Sequence, residues 1–324
     1  MKKSKIIILF ICIISLFSCE NSGNNDAYQP HIYIVGGNYD IFNSILWTNN
    51  VVTEISKNES GLTSLFLSNG KVYLTGYEYD RYGYHATVWE NGSPTMLSQT
   101  QSCAYSVFVR GSVYVAGYEQ GYNTFFATLW IDGTATRLSS SESLALSVDV
   151  SDGNIYVVGS IKNTDGKYNA VVWKNGIKTI LSSNPSTAHS VFVKNKNIYI
   201  AGVENNKATL WTNNVAETLS NDYSTAFSVF AANNKVYVAG HNENIATLWE
   251  NGVPTTLDTQ NSSANSVFVS GTDVYVAGIT DELINHSCGY PTLWLNGNKE
   301  ILSYDGITRF IEPFTFYVSG IFVK

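Results

Sequence analysis

The chain has 324 residues, 19 Lys and Arg against 26 Asp and Glu, a formal net charge of −7, and four Cys. It is long enough for a large core in one repeat domain. It contains no run of basic residues. Binding to a phosphate backbone draws its affinity from clustered Lys and Arg, so nucleic acid is excluded as a partner class.

The chain opens Met1-Lys2-Lys3-Ser4-Lys5, followed by an apolar run from Ile6 to Phe17. A basic start and an apolar core too short for a spanning helix describe a signal peptide over residues 1–18. The run ends Leu16-Phe17-Ser18-Cys19, which resembles the bacterial lipobox. In that motif the Cys after a small residue is lipidated and becomes the mature N-terminus. Leu16, Ser18 and Cys19 fit it, and Phe17 is bulkier than the usual residue. The alternative is an ordinary secretory signal with an incidental Cys. Residues 19–30 (CENSGNNDAYQP) are polar and cannot pack, so they form a flexible tether. Removing residues 1–18 takes Lys2, Lys3 and Lys5 away, leaving 16 basic and 26 acidic residues and a net charge near −10. An acidic surface suits a soluble exported domain. Cys103 and Cys288 then remain in an oxidising compartment, but the repeat places them in different units, too far apart for a disulfide to be expected.

From residue 31 onward one unit recurs. Its clearest copy is Ala246-Thr247-Leu248-Trp249-Glu250-Asn251-Gly252. The seven Trp of the chain, at 47, 89, 130, 173, 211, 249 and 294, are spaced by 42, 41, 43, 38, 38 and 45 residues. A period near 40 built from short strands is the mark of a radial β array. Each unit carries four strand-like segments: Ser-Val-Phe-Val (Ser106–Val109), Val-Tyr-Val-Ala-Gly (Val113–Gly117), the Trp segment, and Thr-x-Leu-Ser (Thr136–Ser139). Short connections join the first segment to the second. Asn-Gly pairs such as Asn91-Gly92 and Asn251-Gly252 join the third to the fourth, and Asn-Gly accepts the positive φ of a tight hairpin turn. Each unit is therefore a four-stranded antiparallel meander, and seven of them predict an all-β, seven-bladed β-propeller over residues 31–324.

The ends complement one another. The chain enters the repeat at a second-strand segment, His31–Gly36, and finishes with an unaccompanied first-strand segment, Ser319–Lys324. The C-terminal strand is thus expected to pair with the N-terminal blade and close the ring, leaving no unpaired internal seam.

The unit resembles the Ala-x-x-Trp-x-x-Gly-x-x-x-Leu repeats of bacterial exported proteins, including those called HAF repeats. Ala208–Leu219 shows the pattern, with Asn214 where Gly usually stands. The resemblance covers residues 31–324. It implies a propeller and an envelope or extracellular setting, and no particular activity. The lipobox and Asn-rich tether look like those of lipoproteins from Bacteroidota-type bacteria, which implies a lipid anchor at the outer membrane.

Tight turns fall at one face of such a ring. The other face receives the connections between second and third strands, read here as loops of differing length: nine residues from Tyr77 to His85, twelve from Ile279 to Tyr290. Ligand-binding residues favour variable loops on a rigid scaffold. Just before each first strand one position varies while its neighbours stay constant: Thr63, Tyr105, Leu146, His189, Phe227, Asn265 and Val318. These are expected at the mouth of the central channel, either as ligand contacts or as free variation. Aromatic residues crowd two loops, Tyr77, Tyr79, Tyr82 and Tyr84 in one and Tyr118, Tyr122, Phe125 and Phe126 in the next. They offer faces for sugars or peptide side chains, or they cover one another.

His85, His189, His241 and His286 fall on this face without metal-ligand spacing, so neither metal nor cofactor is expected. Glu78, Glu119 and Glu204 recur two residues after the second-strand Gly, as acid–base candidates or as solvated carboxylates. The leading expectation is a monomeric envelope lipoprotein, lipidated at Cys19, touching the membrane through that lipid only. It binds a glycan or an envelope protein through Thr63, Tyr105, His189, Phe227, Asn265, Tyr79, Tyr82 and Tyr122. A carbohydrate-active lyase or hydrolase and a purely structural envelope module are the alternatives.

Overall fold

The computed structural model describes residues 30–38, 43–281, 289–303 and 316–324. The expectations for the signal peptide, the tether, Cys19, His286 and Cys288 lie outside these residues. The compact unit runs from His31 to Lys324. Its described residues form seven four-stranded antiparallel sheets, each a blade of a β-propeller. Blades 2 to 7 are continuous in sequence, with inner strands Ser60–Ser68, Ser102–Arg110, Ser143–Ser151, Ser186–Lys194, Ser224–Ala232 and Ser262–Ser270. Blade 1 takes its inner strand, Phe316–Val323, from the end of the chain and pairs it with Ile32–Asn38. His31 and Lys324 exchange backbone hydrogen bonds of 2.8 and 3.0 Å. The closed ring expected from the two termini is what forms.

The Trp of each third strand makes the ring. All seven are at most 1% exposed. Each lies in a cluster with residues of the preceding blade: Trp211 with Val158, Ala170 and Val172 of blade 4, and Trp47 of blade 1 with Tyr275 and Leu293 of blade 7. Burying an indole between sheets contributes a few kcal/mol per blade, because large aromatics carry the largest apolar area. Five of the seven Trp segments begin with a small Ala, at 86, 127, 170, 208 and 246, which is fully buried and leaves space for the neighbouring blade.

The Asn of the third-to-fourth turn does two jobs. Asn91 sits at φ 50° before Gly92 at φ 80°, as the hairpin requires. Its side-chain Oδ1 also accepts the Val72 backbone N–H at 3.0 Å, fixing the start of the second strand. Asn49, Asp132, Asn175, Asn213, Asn251 and Asn296 repeat this contact in the other blades. Asn214, standing where the repeat favours Gly, takes φ 70°.

Hydroxyls tie inner strands together around the axis. The inner edge would otherwise present unpaired N–H groups. Ser64, Ser106, Ser147, Ser190, Ser228 and Ser266 each accept a backbone N–H from the adjacent blade's inner strand at 3.2–3.3 Å. In blade 1 Gly320 takes this place.

Candidate functional site

The funnel at the centre is built by a bulge that every blade repeats. The inner strand shifts register once, between Ala104 and Ser106 in blade 3 and at the equivalent point in every other blade. The second-strand Gly makes this possible. A Cβ on Gly36, Gly76, Gly117, Gly159, Gly202, Gly240 or Gly278 would stand only 1.8–2.1 Å from an inner-strand carbonyl oxygen. Only Gly admits that approach. The extra residue of the bulge is left out of the ladder and re-aimed. These residues are Thr63, Tyr105, Leu146, His189, Phe227, Asn265 and Ser319.

Six of the seven positions expected at the mouth are these bulge residues. They sit inside the inner strand, not before it. The seventh differs: Val318 pairs with Gly36 and is buried in the blade, while Ser319 occupies the bulge.

Thr63, Tyr105, Leu146, His189, Phe227 and Ser319 line a funnel of about 380 Å³. It narrows to a throat of about 160 Å³, where Asn265 and the ring of Ser hydroxyls join the lining. Much of the polar capacity at the mouth is already engaged. Thr63 Oγ1 donates to the carbonyls of Ala104 and Thr75, at 2.7 and 3.0 Å. Asn265 Nδ2 donates to the Val318 carbonyl at 2.8 Å and its Oδ1 accepts from Ser263. His189 Nδ1 lies 2.9 Å from the Ala226 carbonyl and donates to it. Burial holds the pKa of His189 below the usual histidine value, so the ring is neutral at pH 7. His189 packs on Phe227, Phe227 on His241, and His241 on Tyr223, a stack running outward from the funnel.

Beside the funnel lies a second cavity of about 420 Å³, walled by Tyr77, Tyr79, Tyr84, Tyr105 and Tyr118, with Glu59 at its edge. Thr63, Tyr77 and Tyr105 line both cavities, so the two are contiguous. The tyrosines come from two blades. Tyr77, Tyr79 and Tyr84 stand on a hairpin whose strands, Lys71–Asp80 and Gly83–Glu90, leave only Arg81 and Tyr82 as the turn. The segment expected as a nine-residue loop is thus mostly strand. Tyr79 and Tyr84 are direct cross-strand partners. Tyr105 and Tyr118 belong to blade 3, with ring centroids 5.8 Å apart. Burial raises the pKa of both, and a hydrogen bond between the Tyr118 and Tyr84 hydroxyls raises Tyr118 further. Cys103, a buried free thiol two residues before Tyr105, lies in the wall, and burial pushes its pKa up to about 12.

The structure separates the remaining expected residues. Tyr79 lines the aromatic cavity. Tyr82 and Tyr122 stand at turn tips, 66% and 94% exposed, away from both cavities. Arg81 covers the Tyr82 ring. Glu59, Tyr77, Tyr84, Cys103, Tyr118 and Ser319 also line the cavities and are not among the leading sequence candidates. A signal existed for Cys103, which shares a strand with Tyr105 at a spacing of two.

The recurring carboxylates clip blades together. Glu78, Glu119 and Glu204 accept hydrogen bonds from Ser56, Ser98 and Ser182 at the end of the preceding blade's outer strand. Asn242 takes the same part with Ser220. His85 is buried and bonded to Asp80 and the Thr100 carbonyl. Among the described residues no group of three or more His, Cys, Asp or Glu could hold a metal ion.

No protein-family model matches this sequence. No curated protein matches it either. Among solved structures it is similar to a puromycin-hydrolyzing peptidase of Mycobacterium tuberculosis, with a TM-score of 0.56 and 11% identity over 80% of this chain. The chain spans about half of that protein, 49%. It is more distantly similar to TolB from Acinetobacter baumannii, with a TM-score of 0.49 and 11% identity over 69% of this chain and 62% of that one. At such identities the likeness to the peptidase is one of fold.

Proposed function

We propose that this chain is an exported envelope lipoprotein, anchored through Cys19, whose propeller holds a ligand in the aromatic cavity and the funnel beside it. The observation that carries the reading is the junction of the two cavities: five tyrosines from two blades open onto a funnel through the shared Thr63, Tyr77 and Tyr105. The tyrosines pair ring on ring, Tyr77 with Tyr84 and Tyr105 with Tyr118, and still line an open space, which offers aromatic surface to a bound glycan or a side chain of an envelope protein. The HAF-like repeats and the lipobox support the envelope setting.

The catalytic alternative needs two titratable groups converging over the channel. Among the described residues of the funnel wall, His189 is neutral and tied to Ala226, and Tyr105 is held protonated by burial. The repeated glutamates are engaged by serines. This composition favours binding.

The test is a glycan array and an envelope-extract capture with the wild type and with Tyr79→Ala and Tyr84→Ala together. Binding by the wild type that the double variant loses, with an unchanged unfolding midpoint, is expected. Equal binding by both, or none by either, overturns the reading. Cys19→Ala is expected to move the protein from the membrane fraction to the soluble one.

A further inference from the structure

The aromatic cavity has a chemistry more specific than a sticky wall. Its lining presents five phenol rings, from Tyr77, Tyr79, Tyr84, Tyr105 and Tyr118. The rings do not lie parallel. Tyr77 and Tyr84 meet at 65° with centroids 6.1 Å apart, and Tyr105 and Tyr118 at 44° and 5.8 Å, so the lining rings are set in different planes. The face of a phenol ring carries negative potential and attracts a cation within about 6 Å.

The other lining residues sharpen the choice. Glu59, which is exposed at the rim, is the only formally charged side chain among them, and it is negative. A neutral polyol would need several free hydrogen-bond partners in the wall, since an unpaired polar group costs about 1–3 kcal/mol. The Thr63 hydroxyl is already shared between two carbonyls, and the Tyr84 and Tyr118 hydroxyls bond to each other. A primary ammonium has three N–H groups to satisfy, and here they would have to be met by phenol oxygens and the Glu59 carboxylate at the rim. An ammonium whose hydrogens are replaced by methyl groups demands none. It keeps its charge for the ring faces and Glu59, and its methyls for the apolar wall.

We propose that the five-tyrosine cavity receives a quaternary ammonium group, of which choline is the simplest carrier. The proposal rests on the reading of this cavity as the ligand site and names the group that enters it. Glu59 puts a negative charge on the exposed rim of the cavity, and the chain's acidic balance adds a weak attraction at longer range. The funnel beyond Tyr77 and Tyr105 leaves room for whatever the ammonium is attached to.

The test compares two probes of equal shape by titration calorimetry on the folded chain: choline, and 3,3-dimethylbutan-1-ol, in which a tert-butyl group replaces trimethylammonium. Choline is expected to bind at least about ten-fold more tightly, as desolvated cation–π contacts provide. Tyr79→Leu, at the half-exposed rim, is expected to weaken choline several-fold while leaving the neutral probe unchanged. Glu59→Gln is expected to weaken choline and reduce the salt dependence of its binding. Should Tyr79→Leu unfold the hairpin, which circular dichroism would reveal, Glu59→Gln carries the comparison alone. Equal affinity for the two probes overturns the proposal, as does a failure of choline to bind. If choline fails while a ligand from the array still needs Tyr79 and Tyr84, the ammonium assignment falls and the binding reading stands. If both experiments fail, both fall.

Discussion

At one place the channel lining breaks its own pattern. Inner strands carry Phe66, Phe108, Phe192, Phe230, Phe268 and Phe322 at equivalent positions. Ring contacts of 4.4–5.5 Å join them in an arc from Phe108 round to Phe192. Blade 4 fills the gap with Asp149, which is 6% exposed. Its Oδ2 accepts the Val193 backbone N–H at 2.6 Å. Burial pushes the carboxyl up from 3.8 to about 6, against the opposing pull of the Val193 and Val150 amides and of Arg110. In the folded state the proton is therefore held more tightly than in the unfolded chain. Stability falls as pH rises from about 4 to about 6 and stays at the lower level above that. The difference amounts to about 3 kcal/mol. Asp149→Asn keeps an acceptor for Val193 and cannot ionise. It should match the wild type near pH 4 and exceed it at pH 7 by up to about 3 kcal/mol. Urea unfolding across pH 4–8, followed by the fluorescence of the buried Trp residues, measures this. His189 and His241, whose pKa values burial lowers, work in the opposite sense, losing stability as pH falls below 6.5, but they are common to both proteins and cancel in the difference. Asp149→Phe closes the arc, worth about 0.5–1.5 kcal/mol. It also orphans the Val193 N–H at about 1–3 kcal/mol, so it should be less stable than Asp149→Asn. Wild type and Asp149→Asn responding to pH in parallel would refute the account.

Other outcomes follow from the same geometry. Gly240→Ala places a Cβ 1.9 Å from the Thr225 carbonyl oxygen and should cost at least about 2 kcal/mol, read as a lowered urea midpoint. Trp211→Ala empties the interface between blades 4 and 5 and should cost about 3–5 kcal/mol in the same assay. Glu204→Ala removes the acceptor for Ser182 and Asn184; a loss of about 1–2 kcal/mol with unchanged ligand binding is expected, and a large loss of binding would show the carboxylate to be more than a clip. Deleting residues 316–324 takes away the inner strand of blade 1 and should broaden and lower the unfolding transition, since the seam it leaves exposes the edge of Ile32–Asn38.

The ring was legible because its makers repeat. Seven Trp, their Asn-Gly turns and two complementary ends are local patterns that survive in sequence. The bulge was only half legible. The variable position showed in the repeat, but one extra residue does not disturb an alternation enough to be counted, which is why Val318 stood in for Ser319. Clips were invisible for another reason. Ser98 and Glu119 lie 21 residues apart, Ser182 and Glu204 lie 22 apart, and nothing local links them. A carboxylate whose partner is in the next blade looks, in sequence, like a free one. The aromatic cavity suffered from a misread connection. Tyr77 and Tyr79 show the spacing of two that puts side chains on one face of a strand, but the length of the segment is equally that of a loop.

That misreading points to how a site arises on a near-uniform ring. Blades 2 and 3 have second strands of ten residues, Lys71–Asp80 and Ser112–Gly121, while blades 5, 6 and 7 have eight. In blade 2 the added rungs are Tyr79 with Tyr84 and Asp80 with Gly83. They carry the hairpin above the rest of the face and bring Tyr79 and Tyr84 beside the Tyr105 and Tyr118 of blade 3. The Trp and second-strand Gly positions cannot vary without opening an interface or blocking a bulge. Extension of a hairpin beyond the last interblade contact carries no such penalty, because its own ladder satisfies the backbone. The bulge residue varies for a related reason, since it has no partner in the strand ladder. The lining of the proposed site thus falls at two kinds of position that the ring does not need, and the five-tyrosine cavity is where they meet.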